Sequence, residues 1–292
     1  RLNIPIVHTA HDYRLICPAY TLFDKNNKVC ELCRDGNFAR CASKRCSLDG
    51  KISSSLILAI DAYYRNNFKS TVNYFNKLIF VSHFSRKKHI EFDSKYATIS
   101  KVVYNCSDIC VPEDSIEEGD YYLYYGRLSR EKGLTKMVEV FNHIGVKLKV
   151  VGDGPELSSL KKNSNENITY HGFMDKTELY PLIRNAKYVI VPSLLYENNP
   201  LSIIEAFAFN VPVIGSDIGG ISELLQQNRG LLFRAGDTHS FEEVVRNSLN
   251  LSHNYYAEMK KNISLYFKNN FTPDIYHSKL LKLYSEVISN AK

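Results

Sequence analysis

Residues 186–193, AKYVIVPS, run almost directly into Tyr196–Ala208, YENNPLSIIEAFA. A short apolar run, then a polar turn, then an apolar-periodic segment reads as strand, loop and helix. The loop and helix set two carboxylates, Glu197 and Glu205, on either side of a helix start. Pro200 suits the first helical position and Asn198 or Asn199 its cap. The first-turn amides and the positive end of the helix dipole then face an anion, while the carboxylates accept hydrogen bonds from hydroxyls. That chemistry suits a sugar joined to a phosphate. Taken alone, the same spacing also describes a solvated loop glutamate and an ordinary helix-surface glutamate, so the flanking chain has to decide.

Working outward, short apolar runs recur at YYLYY (121–125), KLKVV (147–151), ITY (168–170), KYVIV (187–191), VPVI (211–214) and GLLF (230–233), each separated by a helical pattern. Strands alternating with helices imply parallel βαβ units and a doubly wound, Rossmann-like sheet. The unusual residues all follow strands: Gly126-Arg127-Leu128 with Lys132-Gly133, Gly152-Asp153-Gly154-Pro155, His171-Gly172-Phe173, the two-glutamate stretch, and Gly215 to Gly220. In a parallel sheet these positions share the carboxyl edge, where ligands bind. Arg127 and Lys132 can neutralise a diphosphate, one by a planar fork and the other as a point charge. Gly152, Gly154, Gly219 and Gly220 let the backbone approach a ligand or turn sharply, and His171 to Met174 line a base-sized slot. Each feature alone is a common loop or turn. Their coincidence on one edge predicts a nucleotide-diphosphate site.

The first part of the chain also alternates. LNIPIVHTAHD, KLIFVS (77–82) and KVVYN (101–105) read as strands, SRKKHIEF as a short basic helix, and residues 50–75 as a long helical pattern whose faces are not cleanly separated. His11 and Asp12 project from the carboxyl end of the first strand, unless His11 is a core histidine hydrogen-bonded in place. Between them lies a cysteine-bearing insert, 17–46. Cys30-x2-Cys33 and Cys41-x4-Cys46 can supply four thiolates to a structural zinc, and unliganded thiols are the competing reading. The expected organisation is a partial acceptor-side domain at 1–110, a linker at 111–120 around Pro112 and Gly119, a nucleotide-sugar domain at 121–270, and a helix at 271–292 packing back across the domains. That terminal helix starts at Thr272-Pro273 and has an apolar face of Ile275, Leu280, Leu283 and Val287.

Bulk properties bound the function. With 292 residues, 44% hydrophobic and 23% charged, the chain can hold two soluble domains. No apolar run reaches membrane-spanning length and no secretory signal is present, which predicts a cytoplasmic protein. The net charge of +6 is uneven: residues 1–107 hold 17 Lys/Arg against 8 Asp/Glu. A basic first part can meet an anionic membrane surface or substrate, or be merely a soluble basic surface. Because the chain opens on Arg1 inside a strand-like run, it is expected to lack the start of its first domain.

The series GRLSREKG, VVGDGP, HGF, ENNPLSIIEAFAFNVPVIGSDIGGISELL and the terminal helix resembles the retaining, nucleotide-sugar-dependent family 4 glycosyltransferases. HTAHDYRLICP, FVSHFSR and VVYN resemble matching parts of that family's first domain, and the cysteine-bearing insert recurs in a subset of it. The resemblance implies an α/β GT-B fold, two Rossmann-like domains facing each other, and glycosyl transfer without a metal. It implies that His11 lies near the transferred sugar, that Arg127 and Lys132 bind the diphosphate, that Glu197 holds sugar hydroxyls and that Glu205 holds the ribose. It further implies that Gly126, Gly152 and Gly154 border the donor, that Asn199, Pro200, Leu201 and Ser202 present the backbone to sugar and phosphate, and that Phe173 and Met174 flank the base. The partners implied are a nucleotide-sugar donor and a saccharide or lipid-linked acceptor, with peripheral contact at the inner face of the membrane and no nucleic acid. Asn198-Asn199 stands where many members have Gly-Phe, and the family's glycine-rich first loop has no counterpart before Arg1. A nucleotide-sugar epimerase of similar layout and a non-catalytic donor-binding piece are the alternatives.

Overall fold

The computed structural model describes residues 4–47, 49–68, 71–109 and 119–290. They divide into two units, Arg1–Asn105 with Asp274–Lys292, and Cys106–Pro273. The expected linker at 111–120 lies outside the described residues except for Gly119 and Asp120.

In the second unit the apolar runs become β4 (Tyr122–Tyr125), β5 (Leu148–Val151), β6 (Ile168–Gly172), β7 (Tyr188–Val191), β8 (Val213–Ser216) and β9 (Gly230–Phe233). The strand at β8 starts two residues later than the run VPVI suggests, because Pro212 cannot donate to the ladder. All pairs are parallel and the order is β6-β5-β4-β7-β8-β9. This is the doubly wound Rossmann order, in which the chain direction across the sheet reverses between β4 and β7. The helices that return the chain are α5 (Leu134–Ile144), α6 (Leu157–Lys162), α7 (Lys176–Arg184), α8 (Leu201–Ala208), α9 (Gly219–Leu225) and α10 (Thr238–Leu249), followed by α11 (His253–Asn270). Buried on both faces, the strands read as nearly continuous apolar runs: every residue of β4, β7 and β8 is buried.

The first unit has a three-stranded parallel sheet, β1 (Val7–Ala10), β2 (Lys77–Phe80) and β3 (Ser100–Val102), in sequential order. Its helices are α1 (Ala39–Lys44), α2 (Ile52–Tyr63), α3 (His83–Phe92), α4 (Tyr96–Ile99) and the terminal α12 (Pro273–Asn290). A turn of π-helix, Tyr64–Phe68, follows α2. Leu283 and Val287 of α12 pack with Ile79 and Val103. The cysteine-bearing insert also finds apolar partners: Phe38 and Cys33 pack on Ala59, Ala62 and Tyr63.

His89 of α3 is fully buried, its ring 4.4 Å from that of Phe80 and beside Tyr13 and Tyr96. Its Nδ1 lies 2.8 Å from the Ser85 carbonyl oxygen, which fixes the proton on Nδ1, and Nε2 has no hydrogen-bond partner among the described residues. A second proton would put a charge among aromatic rings, and burial accordingly lowers its pKa to about 4. In the unfolded chain the ring protonates near pH 6.5, so the unfolded state binds more protons between the two values and stability rises with pH across that window. Lowering the pH from about 6.5 to about 4 is therefore expected to remove on the order of 3 kcal/mol through this group. Denaturant unfolding of the parent and of His89→Leu across that range checks it. The variant should lose most of the slope; equal slopes would place the acid sensitivity elsewhere.

Candidate functional site

The strands β4 and β7 are in register only at Tyr122 with Tyr188 and Leu123 with Val189. Past these pairs their carboxyl ends are not laddered to each other, and the loops leaving them frame a crevice at the switch point. From β4 come Gly126, Arg127 and a short 3-10 turn, Arg130–Lys132; from β7 come Ser193 and Glu197. Lys132 Nζ meets Glu197 Oε1 at 2.5 Å, and Ser193 Oγ donates to the same oxygen at 2.8 Å. The pair is half-buried, with side chains 29% and 16% exposed. One ion pair thus joins the loops on the two sides of the crevice.

At the same carboxyl edge, Tyr125, Gly126, Arg127, Val151, Gly152, Asp153, Phe173, Met174 and Leu179 line a cavity of about 370 Å³. Arg127 is exposed at its mouth, and the Phe173 ring is 82% exposed, an apolar plane with no cover. Glu205, one turn into α8, is half-buried. Burial raises its pKa, opposed by the Tyr125 hydroxyl and by Lys176, and reinforced by Asp108. The Tyr125 hydroxyl donates to the Ser202 carbonyl oxygen at 2.6 Å while standing within reach of Glu205. A single phenolic proton cannot satisfy both acceptors fully, so Glu205 keeps capacity for another donor.

The helix start differs from expectation in one detail. Pro200 is the N-cap of α8 and not its first helical residue, with an extended ψ of 120°, and no side chain caps the helix. Pro200 fixes φ just as usefully there, and its carbonyl already accepts from Ile203 at 3.1 Å. Among the described residues, the N-cap therefore offers the first-turn amides of Leu201 and Ser202 no side-chain acceptor.

Gly126 and Gly152 line the cavity, and the glycines also permit close approaches between neighbouring loops. A Cβ on Gly152 would strike the Gly126 carbonyl, and one on Gly154 the Leu128 backbone. Gly126 N donates to Val151 O at 3.0 Å and Leu128 N to Asp153 O at 2.8 Å. The β4 and β5 loops are thus bonded backbone to backbone. In the same way Gly220 lies against the Asn198 carbonyl and donates to Glu197 O at 2.6 Å, which ties α9 to the glutamate loop.

His11 belongs to the first unit, exposed at the carboxyl end of β1. The zinc expectation is not met by the arrangement of the thiols. Cys30, Cys33, Cys41 and Cys46 are free, and among the described residues no three His, Cys, Asp or Glu side chains are set to hold a metal ion. The Cys46 thiol beside Cys30 pushes Cys30 far up, and burial pushes Cys33 up to about 12. Arg40 acts against that rise at Cys33. Ser193 and Tyr125 are site residues that the sequence reading did not single out. Ser193 follows a strand as Arg127 and Glu197 do, so its position was the available signal; Tyr125 lies inside β4 and reads as one more core aromatic of YYLYY.

Fold and crevice together define an α/β protein with a cation-bearing crevice at a doubly wound sheet edge. Residues 111–265 match the family model described as glycosyl transferases group 1, and the chain belongs to that family. It is 31% identical to TuaC of Bacillus subtilis, named as a teichuronic acid biosynthesis glycosyltransferase, over 42% of this chain and 31% of that one. It is 32% identical to Protein CapJ of Staphylococcus aureus over 57% of this chain and 43% of the other. The chain thus spans less than half the length of either relative. Among solved structures it resembles Anabaena HepE in complex with UDP and glucose, with a TM-score of 0.67, 18% identity, and coverage of 96% of this chain and 72% of that one. That likeness bears on the fold, which is of the GT-B class.

A Gly152→Ala variant is expected to lower stability by roughly 2 kcal/mol or more, because φ is +132° and the new Cβ meets a carbonyl. Gly145→Ala, also at positive φ but in open space, should cost only about 1 kcal/mol. Thermal unfolding of the pair checks the loop-to-loop contact. Equal losses would deny it.

Proposed function

We propose that the chain binds a nucleoside-diphosphate sugar in the crevice of its second unit and serves its transfer, with retention of anomeric configuration and without a metal, to a hydroxyl of a saccharide or lipid-linked acceptor. The observation that carries this reading is the Lys132–Glu197 ion pair at the switch point, with a 370 Å³ cavity at the same carboxyl edge. The cavity takes the base against Phe173 and Met174, with Glu205 at the ribose hydroxyls. Arg127, Lys132 and the α8 amides take the diphosphate. Both donors to Glu197 reach Oε1, which leaves Oε2 with the acceptor capacity that a sugar hydroxyl needs.

In the proposed reaction the bond from the anomeric carbon to the diphosphate oxygen breaks as Arg127, Lys132 and the helix dipole stabilise the growing charge. The acceptor oxygen then bonds to the same face of that carbon, and its proton passes to the departing phosphate oxygen. Preorganised cations and amides aimed at developing charge account for most of the rate effect in such a mechanism, and they supply what a divalent metal would otherwise supply. His11 is proposed to position the transferred sugar. The names of TuaC and of HepE with UDP and glucose support polysaccharide assembly and a uridine nucleotide as the first donor to try.

Calorimetric titration with UDP, GDP and ADP sugars tests the donor reading. The parent should bind one nucleotide class. Arg127→Ala should weaken it by about 1.5 to 3 kcal/mol, the usual worth of a charged hydrogen bond, and Glu197→Ala should weaken the sugar nucleotide more than the free nucleotide. Affinity unchanged by Arg127→Ala would end the assignment. Chromatography of products then separates a glycoside, which is transfer, from a free epimerised sugar nucleotide, which is not.

A further inference from the structure

The cysteine-bearing insert walls a cavity inside the first unit. Three hydrogen bonds between distant parts of the chain hold the walls together. The Tyr96 hydroxyl of α4 donates to the Leu15 carbonyl oxygen at 3.3 Å, Arg34 Nε to the Glu91 carbonyl oxygen of α3 at 3.1 Å, and Arg65 Nη1 of the π-turn to the Arg14 carbonyl oxygen at 2.8 Å. Between the insert, the π-turn and the corner from α3 to α4 lies a space of about 350 Å³, within the usual range of small-molecule pockets. Among the described residues, neither His11 nor any residue at the carboxyl ends of β1, β2 and β3 lines it.

Its floor is apolar and its rim is polar. Ile16, Phe38 and Tyr96 line it and are at most 4% exposed. Around them stand the exposed Arg34, Asp35, Asn66, Asn67 and Lys95 and the half-buried Asp93. Both carboxylates have a cation nearby, Arg40 at 2.9 Å from Asp35 and Lys95 at 3.9 Å from Asp93. Two carboxylates on the rim count against a polyphosphate as the ligand. What the rim offers is a mixture of donors and acceptors. Asn66 and Asn67 are neighbours on the π-turn, a type of turn common at functional sites, and neither carboxamide has a hydrogen bond among the described residues. Each can donate to one hydroxyl while accepting from another, and Arg34, with Nε bonded to Glu91, keeps its two terminal amino groups as donors. A sugar ring matches both surfaces, since its hydroxyls donate and accept and its C–H face is apolar.

We propose that this cavity is an oligosaccharide-binding site separate from the site of transfer, in which Asn66, Asn67 and Arg34 bond to ring hydroxyls above the floor of Ile16, Phe38 and Tyr96. The site lies wholly in the first unit, so its occupation needs neither a donor nor the crevice of the second.

Saturation-transfer NMR of the 292-residue chain without nucleotide tests it, with maltotetraose, cellotetraose and trigalacturonic acid as probes and pyrophosphate titrated separately. At least one saccharide should receive saturation from the protein. Asn66→Ala/Asn67→Ala, a change at two exposed positions, should weaken that saccharide by about fivefold or more and leave nucleotide affinity unchanged. A preference for trigalacturonate that Arg34→Ala removes would support the site and make its ligand an acidic saccharide. In the parent chain labelled at its isoleucine methyls, the Ile16 signal should shift on adding the saccharide while that of Ile214 in β8 stays in place. No saccharide bound, binding that survives the asparagine pair, binding lost in His11→Ala but not in that pair, or an unmoved Ile16 signal would overturn the assignment. An Ile16 shift with pyrophosphate and with no saccharide would overturn it too and make the cavity an anion site. The donor reading is tested on nucleotides, so either can fail while the other stands.

Discussion

The site depends on a half-buried ion pair spanning the place where the sheet reverses. Lys132 and Glu197 come from loops after β4 and β7, two strands that ladder at only two residue pairs before their ends separate. Without the pair, two charged side chains would face each other's empty place in a partly desolvated crevice, and removing one partner of such a pair is far costlier than the pair's net worth. Ser193 adds a second donor to the same carboxylate oxygen, holding Glu197 in one orientation. The glycine contacts serve the same end: Gly152 and Gly154 join the β4 and β5 loops, and Gly219 and Gly220 press α9 against residues 196–198. The crevice is thus bordered by loops bonded to one another.

Its electrostatics mix both signs. Glu205 is half-buried, with its pKa raised by burial, and the Tyr125 hydroxyl that donates to the Ser202 carbonyl stands within its reach. Of the cations, Arg127 is exposed and Lys132 is paired with Glu197. The start of α8 adds a fixed dipole. Hydroxyls flanking a double negative charge, as in the nucleotide sugar proposed above, complement that set of groups.

Much of the fold was legible in the sequence because parallel strands buried on both faces leave apolar runs too short to be helices, and the candidate site residues other than Tyr125 come after such runs. Arg127, Lys132, Glu197 and Glu205 could be found by that rule alone. What the sequence hid was pairing. Nothing local tells that Lys132 meets Glu197 65 residues away, or that Gly152 stands against Gly126. The helix α2 was obscure for a related reason. Periodicity shows an apolar face but not which way it points, and here the small residues, not the large ones, turned inward. The cysteine spacing did bring thiols together, Cys46 beside both Cys30 and Cys41, but spacing alone does not set a metal's geometry, and among the described residues no three side chains are arranged to hold an ion.

Hydrogen exchange of the chain with and without UDP, GDP or ADP tests the central claim, that one ligand bridges the two sides of the switch point. The account predicts that a bound nucleotide slows exchange together at residues 126–133 and at 196–206, the loops that Lys132 and Glu197 join, and leaves the first unit unchanged. Protection confined to one loop or to the first unit, or none with any of the three nucleotides, would contradict it.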